Sequence, residues 1–512
     1  MALAQIQSGA TVGLRAQPVT VEVDLSSGLP SFLIVGLPDK AVEEARERVR
    51  SAIKNSNVIF PSRKITVNLA PADIRKEGPA YDLPIAVGIL LAGGQIYPSE
   101  DALFFGELAL NGNVRSISGA ILFATMAKER GVSTIFVPSA NAIEAALVEG
   151  IKVIPVDSLK NLISHLRRET TILARPLTTV RLDRSTIDSP NDMKYIAGQS
   201  HAKRALEIAA AGRHNIIMTG PPGSGKTMLA KALITILPPL ALDEVLEVTK
   251  IHSISGLLPG DHPLILQRPF RSPHHTASAV AISGGGNWPK PGEISLAHKG
   301  VLFLDELPEF PRQVLDVLRQ PIEDKVVHVA RVATSCTFPA NFMLVAAQNP
   351  CPCGFWGDPK KSCTCTAGQI QNYQKKVSGP LLDRIDLNIN VGRISYEKLA
   401  SDELAESSRS IRERVILAQT IQQERFANSS TGNNAEMSTE ELKRFCALDE
   451  TGHKLMQAAV DRLNLSGRAY TRTLKVARTI ADLDNSPNIR DQHLAEALSY
   501  RLESVLELHP TY

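Results

Sequence analysis

Short runs with every second residue apolar, broken by stretches of helical period, organise the first third of the chain. Thr20-Val21-Glu22-Val23-Asp24 and Ser31-Phe32-Leu33-Ile34-Val35 flank a Ser26-Ser27-Gly28 turn, a pattern that predicts a hairpin. Asp39 opens a predicted helix to Asn55, with Ala41, Val42, Ala45, Val49 and Ile53 on one stripe. Ile65-Thr66-Val67-Asn68-Leu69 reads as a further strand and Leu83–Leu91, apolar almost throughout, as a buried helix. Residues 168–191 are polar and without period, which predicts a linker between a first domain of residues 1–167 and a second domain. Beyond it, apolar runs at 215–218, 301–304 and 342–347 predict buried strands of an α/β core spanning 192–393. Residues 394–512 are helical in pattern, apart from Asn428–Asn434, a polar stretch expected to be a disordered loop. No internal repeat is present.

Bulk composition narrows the classes open to such a chain. Its 512 residues suit two or three domains. Lys and Arg number 56 against 53 Asp and Glu, a net charge of only +3, so a nucleic-acid partner has to be held by a local lining and not by a global field. Aromatic residues make up 5% of the chain, too few for broad base-stacking platforms. No apolar run is long enough for a membrane span, and no charged segment precedes an apolar one at the N-terminus, so no membrane partner is expected and the location is expected to be cytoplasmic. In that compartment six cysteines are thiols or metal ligands.

The chemistry begins at Gly220-Pro221-Pro222-Gly223-Ser224-Gly225-Lys226-Thr227, set between the strand 215–218 and a helical run from Met228. This is a G-x-x-x-x-G-K-[ST] loop in its strand–loop–helix context. Its N–H groups and the helix N-terminus suit phosphate, Lys226 suits the β- and γ-phosphates of ATP, and the Thr227 hydroxyl suits Mg2+. Val301-Leu302-Phe303-Leu304 runs into Asp305-Glu306, which places Asp305 on Mg2+ and Glu306 on the attacking water. A third apolar strand ends in Gln348-Asn349, and Asn349 is expected to position the water or sense the γ-phosphate. Cys351-Pro352-Cys353 and Cys363-Thr364-Cys365 form a cysteine loop, 351–365, whose four thiolates suit tetrahedral Zn2+ outside the nucleotide pocket; Cys336 and Cys446 read as packed thiols.

Resemblances extend this reading over nearly the whole chain. Arg75-Lys76-Glu77-Gly78-Pro79-Ala80, Gly106–Arg115 and Ser118-Gly119 resemble the proteolytic domain of Lon protease, an α+β fold of the S5 domain 2 type. The family's nucleophilic Ser and base Lys fall at Ala80 and Ile121, so the resemblance implies an inactive domain and no peptidase activity. Gly292–Glu306 resembles the helix-2-insert branch of AAA+ ATPases, which includes the magnesium chelatase ATPase subunit and the MCM helicases. Within that resemblance Ser378–Leu387 carries the arginine finger, Arg384, and Ala469–Leu474 opens a helical lid bearing the second sensor, Arg472. An arginine finger serves a neighbour's ATP, which implies a homo-hexameric ring.

The combination resembles the ComM/YifB family, magnesium chelatase-like and linked to competence. That implies an ATP-driven DNA motor of helicase or branch-migration type, acting on single-stranded and branched DNA without sequence preference, with recombination proteins as partners. The segment 325–333 resembles the MCM pore hairpin and puts Arg331 on the DNA backbone, assisted by Arg271, His274, His275 and Lys290 of the insert. Two other readings stay open: a chelatase-type motor serving a metal-insertion partner, and a protein-remodelling ATPase.

Overall fold

Ala4, Ile6, Ser8 and Ala10 are buried while Leu3 and Gln5 are exposed, so the small residues of Ala2–Val12 form a strand of period two. The computed structural model describes residues 2–74, 76–99, 101–178, 189–259, 264–286, 289–330, 335–396 and 404–508. It divides into two units, Met1–Leu182 with Ala241–Leu266, and Asp183–Leu240 with Gln267–Tyr512.

The first unit is built on a seven-stranded mixed sheet in the order Ser31–Val35, Lys64–Ala70, Arg15–Ser26, Ala2–Val12, Ala102–Phe104, Thr134–Pro138, Lys152–Val156. The expected hairpin of 20–24 with 31–35 is not formed. Lys64–Ala70 lies between those strands, antiparallel to Arg15–Ser26 and parallel to Ser31–Val35. Arg15–Ser26, with Val19, Val21 and Val23 fully buried on one face, is paired on both sides, whereas Ser31–Val35, with only Ile34 buried, makes an edge. Helix Lys40–Asn55 starts where Asp39 Oδ1 accepts the Val42 N–H at 2.8 Å, a cap that contributes about 1 kcal/mol, and it buries Val42, Ala45, Val49, Ala52 and Ile53. Helix Asp82–Ala92 is buried all round through Leu90, and its Asp82 carboxylate is held by the Arg48 guanidinium at 2.7 and 3.0 Å.

Helix Leu242–Ile254, which comes after the nucleotide-loop helix in sequence, belongs to this first unit. Ser253 Oγ accepts the Gly119 N–H at 2.8 Å and donates to the buried Glu144 carboxylate, which also takes the Ile121 N–H at 3.0 Å. Of the expected linker, the residues up to Thr178 stay bonded to this unit through Arg175 N–Val153 O and Thr178 N–Ala146 O; residues 179–188 lie outside the described ones.

In the second unit five strands run parallel in the order Phe270–Arg271, Val301–Leu304, Met343–Gln348, Ile216–Thr219, Leu387–Asn390. Their carboxyl ends therefore share one edge, where ligands bind in open α/β sheets. One core joins the sheet to helices Ser200–Gly212, Lys226–Ile236, Ser408–Arg425 and Gly467–Leu483. The stretch 428–434, expected to be disordered, is tied down: buried Asn434 donates to Thr479 Oγ1 at 3.1 Å and Asp482 Oδ2 at 2.7 Å, and Thr431 Oγ1 donates to Glu441 at 2.8 Å. Polar side chains there face partners distant in sequence, which composition does not reveal. Among the described residues no helix is long and apolar enough to cross a membrane.

Candidate active site

Strand register assembles the nucleotide loop. Thr219 pairs with Gln348 and Leu304 with Ala346, so Gly220, Asn349 and Asp305 emerge side by side from three adjacent parallel strands. Gly220 has no room for a side chain, since a Cβ would stand 2.2 Å from the Val391 carbonyl oxygen. Helix Lys226–Ile236 begins directly from the loop, so the unpaired N–H groups of its first turn lie at the loop's end.

Lys226 Nζ donates to the carbonyls of Gly220 at 2.7 Å and Pro221 at 3.0 Å and to Asn349 Oδ1 at 3.3 Å. Burial lowers its pKa, opposed by the charges of Asp305 and Glu306. The buried Ser224 hydroxyl has no hydrogen-bond partner among the described residues. A cation folded onto its own loop beside an orphaned hydroxyl fits an anionic phosphate group. Thr227 Oγ1 donates to Asp305 Oδ2 at 2.8 Å, which sets two hard oxygen donors together, as Mg2+ requires. Of the expected set, Gly220, Pro221, Pro222, Gly223, Ser224, Gly225, Lys226, Thr227, Asp305 and Asn349 thus form one locus.

Glu306 follows Asp305 in a left-handed conformation, φ 53°, and its side chain lies 3.4 Å from His275 Nδ1. That ring lies tilted against His274, with centroids 4.1 Å apart, and meets Phe310 edge-on. His275 therefore lies at the carboxylate expected to act on water. Arg271 is no free cation: it lies in the edge strand of the sheet and forms a double hydrogen bond with Glu293 at 2.6 and 2.8 Å. Exposed Lys290 sits in a two-stranded ribbon, Gly284–Gly285 with Lys290–Pro291. Arg331 lies outside the described residues; the flanking strands Val326–Ala330 and Ser335–Pro339 pair antiparallel.

Arg384 and Arg472 keep each other's company and not that of Lys226. Arg384 Nη1 donates to the Pro380 carbonyl at 2.6 Å and Nη2 lies 2.9 Å from Glu323. Arg472 Nη1 donates to the Arg384 carbonyl at 3.1 Å and pairs with Asp386. Burial alone would raise the Asp386 pKa, but Arg472, His214 and Arg501 hold it well below the usual carboxylate range. Nothing in the sequence marks Asp386 as the anchor of Arg472.

The four cysteines converge. Sulfur–sulfur distances of 3.4, 3.6 and 3.5 Å link Cys351, Cys353 and Cys363, and all four sulfurs lie within 4.8 Å of one another. A tetrahedral zinc with Zn–S bonds of about 2.3 Å sets its sulfurs about 3.8 Å apart, so the cluster fits that ion. Backbone N–H groups of Trp356, Cys365 and Cys353 point at Cys351, Cys363 and Cys365 sulfurs respectively. Backbone hydrogen bonds hold the Cys353 thiol down at about 5, whereas desolvation pushes Cys363 up to about 12: thiols this close do not all ionise without a cation among them. Cys336 and Cys446 are buried apart from the cluster, as expected.

In the first unit, Ala80 and Ile121 offer neither nucleophile nor base. Comparison with known proteins finds relatives of both units. Family models described as "Magnesium chelatase, subunit ChlI", "Subunit ChlI of Mg-chelatase" and "Magnesium chelatase, subunit ChlI C-terminal" match residues 192–399, 21–141 and 405–501. A Lon protease of the Aster yellows witches'-broom phytoplasma is 27% identical over 158 residues, covering 28% of this chain and 20% of its own. The uncharacterized protein YifB of Salmonella typhimurium is 44% identical over 519 residues, 99% of both chains. The competence protein ComM of Haemophilus influenzae is 44% identical over 508 residues, 98% of both. With identity of this order sustained from end to end, the chain belongs to the ComM/YifB family of AAA+ ATPases related to the magnesium chelatase subunit.

Proposed function

We propose that the chain is an ATP-driven, hexameric DNA motor of helicase or branch-migration type, which extends strand exchange when incoming DNA is integrated by homologous recombination. The observation that carries this reading is a half-finished ATPase site. Lys226, Thr227, Asp305 and Asn349 are gathered by three strands, while Arg384 is held elsewhere by Pro380 and Glu323. Such a chain needs a neighbour to supply the positive charge that offsets the transition state, and the simplest closed arrangement is a ring.

Within each site the loop N–H groups and Lys226 bind the β- and γ-phosphates. Thr227 and Asp305 hold Mg2+, which when bound neutralises phosphate charge. Glu306 takes the proton of the attacking water, and Asn349, touching Lys226, orients that water against the γ-phosphate. Arg384, with Arg472 beside it, forms the half offered to the next subunit. The Cys351, Cys353, Cys363 and Cys365 thiolates hold zinc.

The DNA assignment draws on a relative named for competence and covering the whole chain, and on the hairpin resemblance that places Arg331 at phosphate. The family models named for magnesium chelatase favour a second reading, a motor acting on a metal-insertion partner. A labelled three-strand branched DNA, incubated with and without ATP, separates the two. The DNA motor moves the branch only with ATP, and Glu306→Gln binds ATP but leaves the branch unmoved. An active ATPase that neither binds nor moves any branched or single-stranded DNA retires the DNA reading.

A further inference from the structure

The cysteine loop, expected to lie outside the nucleotide pocket, packs against the phosphate loop itself. Strand Met343–Gln348 passes through Asn349 and Pro350 directly into Cys351, which is fully buried. The first cysteine of the cluster is thus two residues beyond the amide that touches Lys226. The chain then turns at Gly354, φ 82°, where an added Cβ would stand 2.5 Å from Pro222 Cδ and 3.8 Å from Asn349 Cγ. Only a hydrogen fits there, so the knuckle backbone lies flat against the wall of the phosphate loop.

A second strap holds the other side. Asp358 accepts from Arg393 Nε at 2.7 Å and from the Lys360 N–H at 2.8 Å. The Arg393 guanidinium lies 5.6 Å from the Phe355 ring centroid, and Lys361 Nζ lies 4.0 Å from it. Arg393 is two residues past Val391, whose N–H donates to Thr219 O at 2.7 Å and whose carbonyl closes on Gly220. The loop between Cys353 and Cys363 therefore touches Pro222 through Gly354 and is held through Arg393 to the segment whose Val391 meets Thr219 and Gly220. Without a cation, four thiols have little reason to converge, and the loop they close regains its chain entropy.

We propose that the metal-closed knuckle is a positioning element of the nucleotide site, holding Pro222 and Asn349 in place so that metal occupancy sets nucleotide affinity. This rests on the ATP-site and zinc readings above and deepens them. Loss of the metal releases Gly354 from Pro222, lets the phosphate loop open, and weakens binding before any DNA is present.

The test uses full-length protein, zinc analysis, and titration with a fluorescent methylanthraniloyl ATP in the absence of DNA. Wild type is expected to carry about one zinc per chain and to bind the probe. Cys363→Ser is expected to lose the zinc and bind the probe about tenfold more weakly, and Cys363→His, which restores a ligand, to recover both. Gly354→Ala keeps all four thiolates; it is expected to retain zinc yet bind the probe several-fold more weakly, because its Cβ drives the knuckle off Pro222. Cys446→Ser, at a buried thiol remote from the cluster, is expected to change neither readout. Chelation followed by zinc re-addition should weaken and then restore binding, which separates metal loss from misfolding. Probe affinity within twofold of wild type in zinc-free protein, or in zinc-loaded Gly354→Ala, overturns the proposal. A wild type that binds the probe but takes up no zinc overturns it too, whereas a zinc-loaded wild type that binds no probe overturns the ATP-site reading on which it stands.

Discussion

His275 Nδ1 lies 3.4 Å from Glu306 Oε2, and the two residues come from separate strand ends of the same sheet. Glu306 is half exposed and held in a left-handed backbone, so its carboxylate has few other constraints. His275→Ala is expected to lower DNA-free ATP turnover about fivefold with KM within twofold of wild type, since orientation of the base matters to the chemical step and not to phosphate binding. His275→Asn, which keeps a donor, should recover part of kcat. Steady-state kinetics decide it: a fall confined to KM assigns His275 to binding instead.

Arg384 gives the prediction for assembly. Its guanidinium is engaged with Pro380 and Glu323 and does not meet the Lys226 locus of its own chain. ATP or a non-hydrolysable analogue is expected to shift the protein toward a hexamer, and Arg384→Ala to retain nucleotide binding with turnover down at least a hundredfold. Mixing Arg384→Ala with Lys226→Ala subunits should restore part of the activity, because some interfaces then join an intact loop to an intact finger. Sedimentation and mixed-subunit assays check this, and full turnover by a monomer contradicts it.

Glu144 links stability to pH in the first unit. Burial raises its pKa, against the hydrogen bonds from Ser253, Ile121 and Asn141 that favour the charged form. A carboxyl with a folded-state pKa above its unfolded one binds more protons when folded. Its stabilisation is complete below the unfolded value, near 4.5, and is lost as pH rises through the raised value. Glu144→Gln keeps the shape without the charge. Its melting temperature is expected to fall less than that of wild type between pH 5 and pH 9, measured by calorimetry; parallel curves for the two proteins refute the assignment.

Much of the second unit was legible because its chemistry is local. Gly220 to Thr227, Asp305-Glu306 and Asn349 each sit at the end of an apolar run, and strand ends in a parallel sheet share an edge. The cysteine convergence was legible from two C-x-C pairs alone. Strand Ala2–Val12 was not, because alanine, serine and glycine carry weak β signal and only pairing along Arg15–Ser26 fixes it. Nor were the contacts of His275 with Glu306, Arg472 with Asp386 and Gly354 with Pro222. Each joins residues far apart in the chain whose types would serve equally well on a solvated surface. The hairpin expected from Thr20 to Val35 failed for a related reason: alternation predicts strands, but it does not choose their neighbours.

The last prediction concerns DNA. The antiparallel pair Val326–Ala330 and Ser335–Pro339 frames the segment that contains Arg331, and the MCM resemblance assigns that residue to the DNA backbone. Arg331→Ala is expected to leave DNA-free ATPase within twofold of wild type, because the proposed phosphate and Mg2+ contacts are assigned to Lys226, Thr227 and Asp305. DNA stimulation of turnover and ATP-driven branch movement should fall together. The dependence of log affinity on log salt should flatten by about one unit for each phosphate that the variant no longer neutralises, since fewer counterions are released. Phosphate contacts carry no base information, so the weakening should be alike on DNA of different sequences. Binding titrations at several salt concentrations on two unrelated sequences provide the measurement. If Arg331→Ala keeps the wild-type salt slope and moves branches at the wild-type rate, the DNA contact belongs to another element of the chain, with exposed Lys290 of the Gly284–Pro291 ribbon the next residue to substitute.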